Sequence, residues 1–190
     1  LHDILRKADE ENLTPSVQNK ERVLFLGIDV QQDFMEQGAL GVPGAHGDVE
    51  RMTGFLYENM DRISNIAVSL DTHTPHQIFH PCWWIDEAGR HPAPGTPITR
   101  NDLDCGRYRA IISPVASRDY VEHLEQEGRK TLIVWPYHCL QGTFGAALEN
   151  QFANMVYFHS VAKKAVTMRM VKGTDPLSEM YGIYRPEYDA

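Results

Sequence analysis

Short, continuous apolar runs alternate with longer segments of mixed polarity along this chain. Runs at 23–28 (VLFLGI), 63–70 (ISNIAVSL), 131–135 (TLIVW) and 165–171 (AVTMRMV) predict β-strands. Successive apolar positions are typical of strands in a parallel sheet that is covered on both faces. Between the first two runs, a glycine-rich loop at 38–47 precedes the segment 49–61, which we predict to be a helix capped by Asp48.

The remaining segments complete an α/β pattern. Helical spacing of apolar residues predicts helices at 1–12, 118–129 and 144–164. A strand, loop, helix and strand in succession form a βαβ unit, whose crossover makes the sheet parallel. We therefore predict a three-layer, Rossmann-like parallel sheet flanked by helices. The predicted domain covers 21–190, a helical extension covers 1–20, and a Pro- and Gly-rich loop insertion covers about 81–116.

Composition narrows the classes of partner and compartment. The net charge of −8, without a lysine or arginine cluster, argues against a nucleic-acid or anionic-membrane partner. Apolar runs stay far shorter than the roughly eighteen residues of a membrane-spanning helix. The charged amino terminus is unlike a signal peptide, and three widely spaced cysteines do not form a disulfide framework. We expect a cytoplasmic protein that acts on a small molecule, and we leave homo-oligomerisation open.

Polar residues follow the predicted strands at the points where those strands end. Asp29, Asp71, the turn 136–138 and Lys172 each lie just beyond a predicted carboxyl end. Ligand sites of open α/β sheets form along that edge. Four such placements favour one shared active site over four unrelated loops in solvent.

The segment 69–80 (SLDTHTPHQIFH) is the strongest candidate for metal chemistry. Asp71 and His73 leave a strand end with the same side-chain direction, and His138 comes from another strand end. One carboxylate and two imidazoles with open positions are typical of a catalytic Zn, Fe or Mn site. His76 and His80 remain second candidates, either as ligands or as residues that support the ligands. No organic cofactor is predicted.

Asp29 and Lys172 are candidates for acid–base chemistry. A partly desolvated lysine at a strand end could stabilise an anion or lower the pKa of a thiol. A neighbouring aspartate could take or return a proton. A simple ion pair between the two is the structural alternative.

Several motifs, in this order, resemble those of the nicotinamidase and isochorismatase-like cysteine hydrolases. They are DVQQDF at 29–34 with GALGVPG at 38–44, SLDTH at 69–73, WPYHCLQGT at 135–143 and VKG at 171–173. The resemblance implies the isochorismatase-like α/β fold and a nicotinamidase-type amidase, with nicotinamide hydrolysed to nicotinate and ammonia through a cysteine thioester.

The resemblance also implies roles for individual residues. Asp29 and Lys172 match two members of an Asp-Lys-Cys catalytic triad. Asp71, His73 and His138 match the ligands of a divalent metal ion. Phe34 and Trp135 match aromatic positions that line the nicotinamide pocket, where a flat ring can stack on them.

The nucleophile is the main departure from this pattern. Cys82 and Cys105 lie in the predicted loop, and Cys139 matches a structural cysteine of the family's turn. We therefore expect the nucleophilic cysteine beyond residue 190, in a C-terminal part of the domain that these residues lack. Two alternatives stay open: an isochorismatase-like hydrolase of another amide or a vinyl ether, and a non-catalytic family member or fragment.

Overall fold

The computed structural model describes residues 1–128 and 130–188. They form an α/β fold whose helices and strands follow in this chain order: α1 (His2–Glu10), β1 (Leu24–Gly27), α2 (Ala45–Glu58), β2 (Asn65–Asp71), β3 (Trp84–Asp86), β4 (Pro97–Ile98), α3 (Arg100–Asp104), β5 (Tyr108–Ala110), α4 (Pro114–His123), β6 (Leu132–Ile133), α5 (Asn150–Ala162) and β7 (Met168–Lys172). The chain divides into two compact units, Leu1–Asp71 with Thr143–Val171 and Thr72–Gly142 with Lys172–Ala190.

The first unit is built on a three-stranded sheet of order β1-β2-β7. Strands β1 and β2 are parallel, with Leu24 opposite Asn65 and Gly27 opposite Val68. Helix α5 packs on β2 and contacts both α1 and α2. A core of aliphatic and aromatic side chains, among them Leu56, Val68 and Phe152, is buried there. The predicted parallel sheet flanked by helices is confirmed.

The second unit has its own core and two small antiparallel pairs. Strand β3 pairs with β5, and β4 pairs with β6. Trp84, Tyr120 and Leu132 are among the buried side chains of its core. The interval 81–116, predicted as a loop, therefore contains three short strands and α3. Its Pro and Gly residues mark the turns between elements that are too short to show a period in the sequence.

The run 131–135 does not join the parallel sheet, and that prediction is wrong. Its backbone groups form hydrogen bonds with residues between 79 and 96 instead. The amide of Val134 donates to the carbonyl of Thr96 (2.9 Å), its carbonyl accepts from Gly95 (2.7 Å), and the amide of Trp135 donates to Phe79 (2.7 Å). The apolar run correctly predicted a buried strand, but not its partner.

Three helix boundaries also differ from the predictions. Helix α5 begins at Asn150 rather than at 144, because the Glu149 carboxylate caps it by accepting from the Phe152 amide (2.9 Å). Helix α2 begins at Ala45 because Gly44 adopts a left-handed φ of 82°, and Asp48 lies inside the helix, paired with Arg51. Helix α4 begins at Pro114, a residue suited to the first turn, and runs into a π-helical turn at Leu124–Gly128. Arg129, the end predicted for this helix, lies outside the described residues. Within the described ranges, no helix has the length and apolar character needed to cross a membrane.

Candidate active site

Asp71, the last residue of β2, is held at its main chain by a buried glutamine. The side-chain amide of Gln31 donates to the Asp71 carbonyl (2.8 Å), and its oxygen accepts from the Asp71 amide (2.8 Å). The same amide nitrogen also donates to the carbonyl of Ala146 (2.9 Å). These bonds satisfy the polar groups of a buried strand end, so the carboxyl group of Asp71 extends from a fixed backbone.

Hydrogen bonds fix His73 at its backbone amide, its backbone carbonyl and its ring. Its amide donates to Cys139 (3.0 Å), and its carbonyl accepts from Gln141 (2.9 Å). The ring Nδ1 lies 2.9 Å from the carbonyl oxygen of Gly173. A carbonyl can only accept, so Nδ1 carries a hydrogen, and in the neutral ring it is Nε2 that presents the lone pair.

His138 has the same tautomer for the same reason. Its Nδ1 lies 2.8 Å from the carbonyl oxygen of Pro136, two residues earlier in the turn that the proline begins. The ring centroids of His73 and His138 are 4.7 Å apart. One ligand atom from each of Asp71, His73 and His138 lies within 4.8 Å of the other two, and all three residues are buried.

These three residues fit a divalent metal ion. Ligand atoms about 2.0–2.2 Å from a common ion are separated from one another by roughly 3–4 Å, which this spacing permits. A backbone carbonyl on the outer ring nitrogen is also the arrangement that fixes the tautomer of metal-binding histidines. The donor set of one carboxylate and two imidazoles suits Zn, Fe or Mn.

His80 gives a further sign that this part of the second unit is built for a ligand. Its Nδ1 lies 3.0 Å from the carbonyl of Thr74 and 3.1 Å from that of Pro75. Its Nε2 is buried and, among the described residues, has no hydrogen-bond partner. Burial, together with the nearby His138 and His73, lowers the pKa of His80 to about 4. His80 therefore presents a neutral, buried lone pair, whereas His76 is exposed.

Asp29 lies two residues beyond the end of β1 in a left-handed conformation, with φ 52°. The Ser69 hydroxyl accepts from the Asp29 amide (3.0 Å) and donates to Asp29 Oδ1 (2.5 Å). A non-glycine residue with this φ needs support from its surroundings, because the conformation costs about 1 kcal/mol or more. Ser69 supplies that support and orients the carboxylate.

Lys172 is buried at the end of β7. Its ammonium Nζ donates to the carbonyl of Met180 (3.0 Å), and its own carbonyl accepts from the Thr72 amide (3.0 Å). The predicted position beyond a strand end is thus almost right, because Lys172 is the last residue of the strand. The following residue, Gly173, turns the chain with φ 73° and directs its carbonyl to His73.

The two aromatic candidates lie in different surroundings. Phe34 closes a short 3-10 turn, Gln32–Phe34, and packs partly buried against the core of the first unit. Trp135 packs partly buried against the core of the second unit. Its indole Nε1 donates to Glu179 Oε1 (3.2 Å) and to the Tyr181 hydroxyl (3.3 Å).

Four buried polar residues of the site were not predicted from the sequence: Gln31, Ser69, Gln77 and Glu179. The Gln77 amide donates to the carbonyls of Gly173 (2.7 Å) and Asp175 (2.9 Å), and its oxygen accepts from the Thr74 amide (3.2 Å). Gln31 and Gln77 both lie inside segments that the sequence analysis had singled out. Both side chains bind backbone groups because they are buried, and the sequence does not show that burial.

Each of the three cysteines has a separate local role in the structure. Cys139 is buried and adopts φ 46° in the turn after His138. The Cys82 thiol donates to the carbonyl of Pro75 (3.0 Å), and Cys105 is exposed beyond α3. The expectation of a nucleophile beyond residue 190 stays a prediction.

Comparison with known proteins gives structural matches only. No protein-family model matches the sequence, and no curated protein matches it. Among solved structures, yeast nicotinamidase bound to the inhibitor nicotinaldehyde is 19% identical with a TM-score of 0.57, and the match covers 87% of this chain and 63% of that one. A nicotinamidase/pyrazinamidase of Acinetobacter baumanii is 19% identical with a TM-score of 0.54, covering 90% and 60%.

These matches define the fold of the protein. It is an α/β fold with a parallel sheet flanked by helices, and within that class it is the isochorismatase-like fold of the nicotinamidases. The fold implied by the sequence motifs is therefore confirmed. The chain spans about three fifths of the length of the nicotinamidases that it matches.

Proposed function

We propose that this protein is a metal-assisted amidohydrolase of small amides, with nicotinamide as the first substrate to test. The observation that carries the proposal is the buried group of Asp71, His73 and His138, whose ligand atoms lie within 4.8 Å of one another. The fold shared with nicotinamidases supports the class of reaction. Within this proposal, the protein works on a soluble substrate in the cytoplasm.

The proposed reaction passes through a thioester on a cysteine. Asp29 takes the proton of the thiol, and the sulfur attacks the amide carbonyl. The C–N bond then breaks, and Asp29 returns the proton to the departing ammonia. Water hydrolyses the thioester, which releases the carboxylic acid and restores the thiol. Lys172 favours the thiolate because its positive charge offsets the developing negative charge.

The chain's own residues define what the site can hold. Asp71, His73 and His138 would bind the ion, and Gln31 and the carbonyls of Gly173 and Pro136 keep these ligands in place. When bound, a divalent ion supplies a Lewis acid that orients a substrate lone pair or a water molecule. Trp135 offers a flat face to an aromatic amide.

The ligand set also bears on the alternative within the same fold. An enzyme that hydrolyses another amide or a vinyl ether without a metal does not need a carboxylate beside two imidazoles whose outer nitrogens are fixed by backbone carbonyls. Since the three ligand atoms are clustered and buried, the metal-assisted reading is favoured. The substrate within the class of small amides remains part of the proposal.

Ammonia release from nicotinamide and from pyrazinamide tests the proposal, with zinc, iron or manganese added in turn to chelator-treated full-length protein that includes the cysteine expected beyond residue 190. Turnover that depends on the metal and is lost in His138→Ala would support it. The matched control is His76→Ala, because this exposed histidine belongs to the same segment as His73 but not to the ligand group. Absence of turnover with all three metals, or turnover indifferent to His138→Ala, would contradict the proposal.

A further inference from the structure

A buried carboxyl group, Glu179, lies at the centre of a polar cluster in the second unit. Its Oε1 accepts from the Trp135 indole (3.2 Å) and from the Tyr181 hydroxyl (2.6 Å). Its Oε2 accepts from the Tyr120 hydroxyl (3.1 Å), which in turn accepts from the Glu179 amide (2.9 Å). Both carboxyl oxygens are thus committed to donors that come from separate elements of the unit.

Burial makes this cluster costly to disturb. It raises the pKa of Glu179, whereas the hydrogen bonds from Tyr181, Trp135 and Tyr120 lower it. Burial also raises the pKa of Tyr120 and of Tyr181, so both phenols keep their protons and act as donors. A buried acceptor with three donors resists reorientation, because turning the carboxyl group away would break its hydrogen bonds with Trp135, Tyr181 and Tyr120.

The cluster holds one residue of the candidate site, and a second is bound by the main chain beside it. Trp135 is fixed directly through its indole nitrogen. The neighbour of Glu179 in the chain, Met180, accepts the ammonium group of Lys172 (3.0 Å). The side chain of Glu179 therefore fixes the plane of an aromatic ring, whereas the lysine is bound by the main chain of the next residue.

We propose that Glu179 is a positioning residue that fixes the indole plane of Trp135 for an aromatic amide and acts on the substrate only through that ring. The first half of the proposal, that Glu179 fixes the Trp135 ring, rests on the hydrogen bonds alone. The second half rests on the proposed function, because it takes Trp135 as a wall of the substrate pocket. A purely structural Glu179 would stabilise the unit without any specific effect on substrate binding.

Glu179→Gln tests both halves, because it keeps the volume and removes one acceptor. With 15N-labelled tryptophan, the chain's three indole N–H signals can be assigned with Trp135→Phe. We expect Glu179→Gln to shift the Trp135 signal and to speed its exchange with solvent. We also expect KM for nicotinamide to rise about tenfold while kcat changes by less than about twofold, which indicates lost ground-state binding.

The matched control is Ser117→Ala, which removes the acceptor of a different buried indole, that of Trp83 (2.9 Å). It should shift the Trp83 signal and lower stability but leave KM unchanged. If Glu179→Gln does not fold, Tyr181→Phe replaces it, since this half-exposed hydroxyl bonds both Glu179 and the indole. It should shift the same signal and raise KM by a smaller factor.

An unchanged Trp135 signal in Glu179→Gln would overturn the first half. A shifted signal with an unchanged KM would overturn the second half. Should the protein not hydrolyse nicotinamide, the proposed function fails separately, and the Trp135 signal is then followed as nicotinamide is added to the wild type. A response of that signal, weakened in Glu179→Gln, supports the positioning role without activity, and no response overturns it.

Discussion

The hydroxyl of Ser69 closes a small ring of hydrogen bonds with Asp29. It accepts from the Asp29 amide at 3.0 Å and donates to Asp29 Oδ1 at 2.5 Å. Asp29 lies two residues beyond β1, and Ser69 lies in β2, two residues before its last residue, Asp71; these parallel strands are paired from Leu24 opposite Asn65 onwards. A single buried side chain thereby fixes the backbone and the carboxylate of the candidate proton carrier.

Ser69→Ala should therefore impair catalysis more than it impairs folding. The carboxylate of Asp29 loses its orienting donor, and we expect kcat to fall about tenfold or more, because misplaced catalytic groups are costly. Ser69→Thr retains the hydroxyl but adds a methyl group at a fully buried position, so it should lose stability and keep kcat. Thermal unfolding and initial rates on both variants provide the check. Equal kcat in the two variants would refute the orienting role.

Gln31 should be much more important to stability than the glutamine beside it. Gln31→Ala leaves the amide and the carbonyl of Asp71 without their partner, at a cost of about 1–3 kcal/mol for each buried group. Gln32→Ala, at a partly exposed position, should change stability by about 0.5 kcal/mol or less. Urea unfolding of both variants measures the difference, and comparable losses would be inconsistent with the bracing of Asp71.

Residues of this candidate site that lie at strand ends could be predicted from the sequence, whereas those that matter because they are buried could not. The positions of Asp29, Asp71 and Lys172 at or near strand ends were predictable because polar residues there interrupt apolar runs. Ser69 and Glu179 were missed because an isolated serine or glutamate in a sequence gives no sign of being buried. The antiparallel partner of β6 was missed for a related reason, since Pro97–Ile98 is too short to show any period.

Stability in mild acid should depend on His159, in α5. Its Nε2 lies 2.9 Å from the carbonyl of Ile63, and burial lowers the pKa of the imidazole, as does the nearby charge of Lys163. The unfolded chain, whose histidines titrate near pH 6.5, then binds a proton before the folded chain does. The stability contribution of neutral His159 is thus complete above about pH 6.5 and is lost as the pH falls towards the lower folded pKa.

His159→Gln should flatten this part of the stability profile. We expect urea unfolding midpoints between about pH 7 and pH 5 to fall less steeply in the variant than in the wild type. His2→Gln, at an exposed position in α1, should leave the slope unchanged. A slope that is equal in His159→Gln and in the wild type would exclude His159 as a source of the acid sensitivity.

Gly27, the last residue of β1, should not tolerate a side chain, because a Cβ atom there would lie 2.5 Å from Phe152 Cζ. We expect Gly27→Ala to cost about 1–3 kcal/mol of unfolding free energy, since Phe152 is fully buried in α5 and cannot move away freely. The control is Gly54→Ala, on an open face of α2, which should stabilise the protein by about 0.5–1 kcal/mol. In the double variant Gly27→Ala with Phe152→Leu, the smaller leucine side chain should relieve the contact. The loss of stability in the double variant should therefore be less than the sum of the losses in the two single variants. Strict additivity of the two substitutions would show that this contact does not limit the packing of α5 on the sheet.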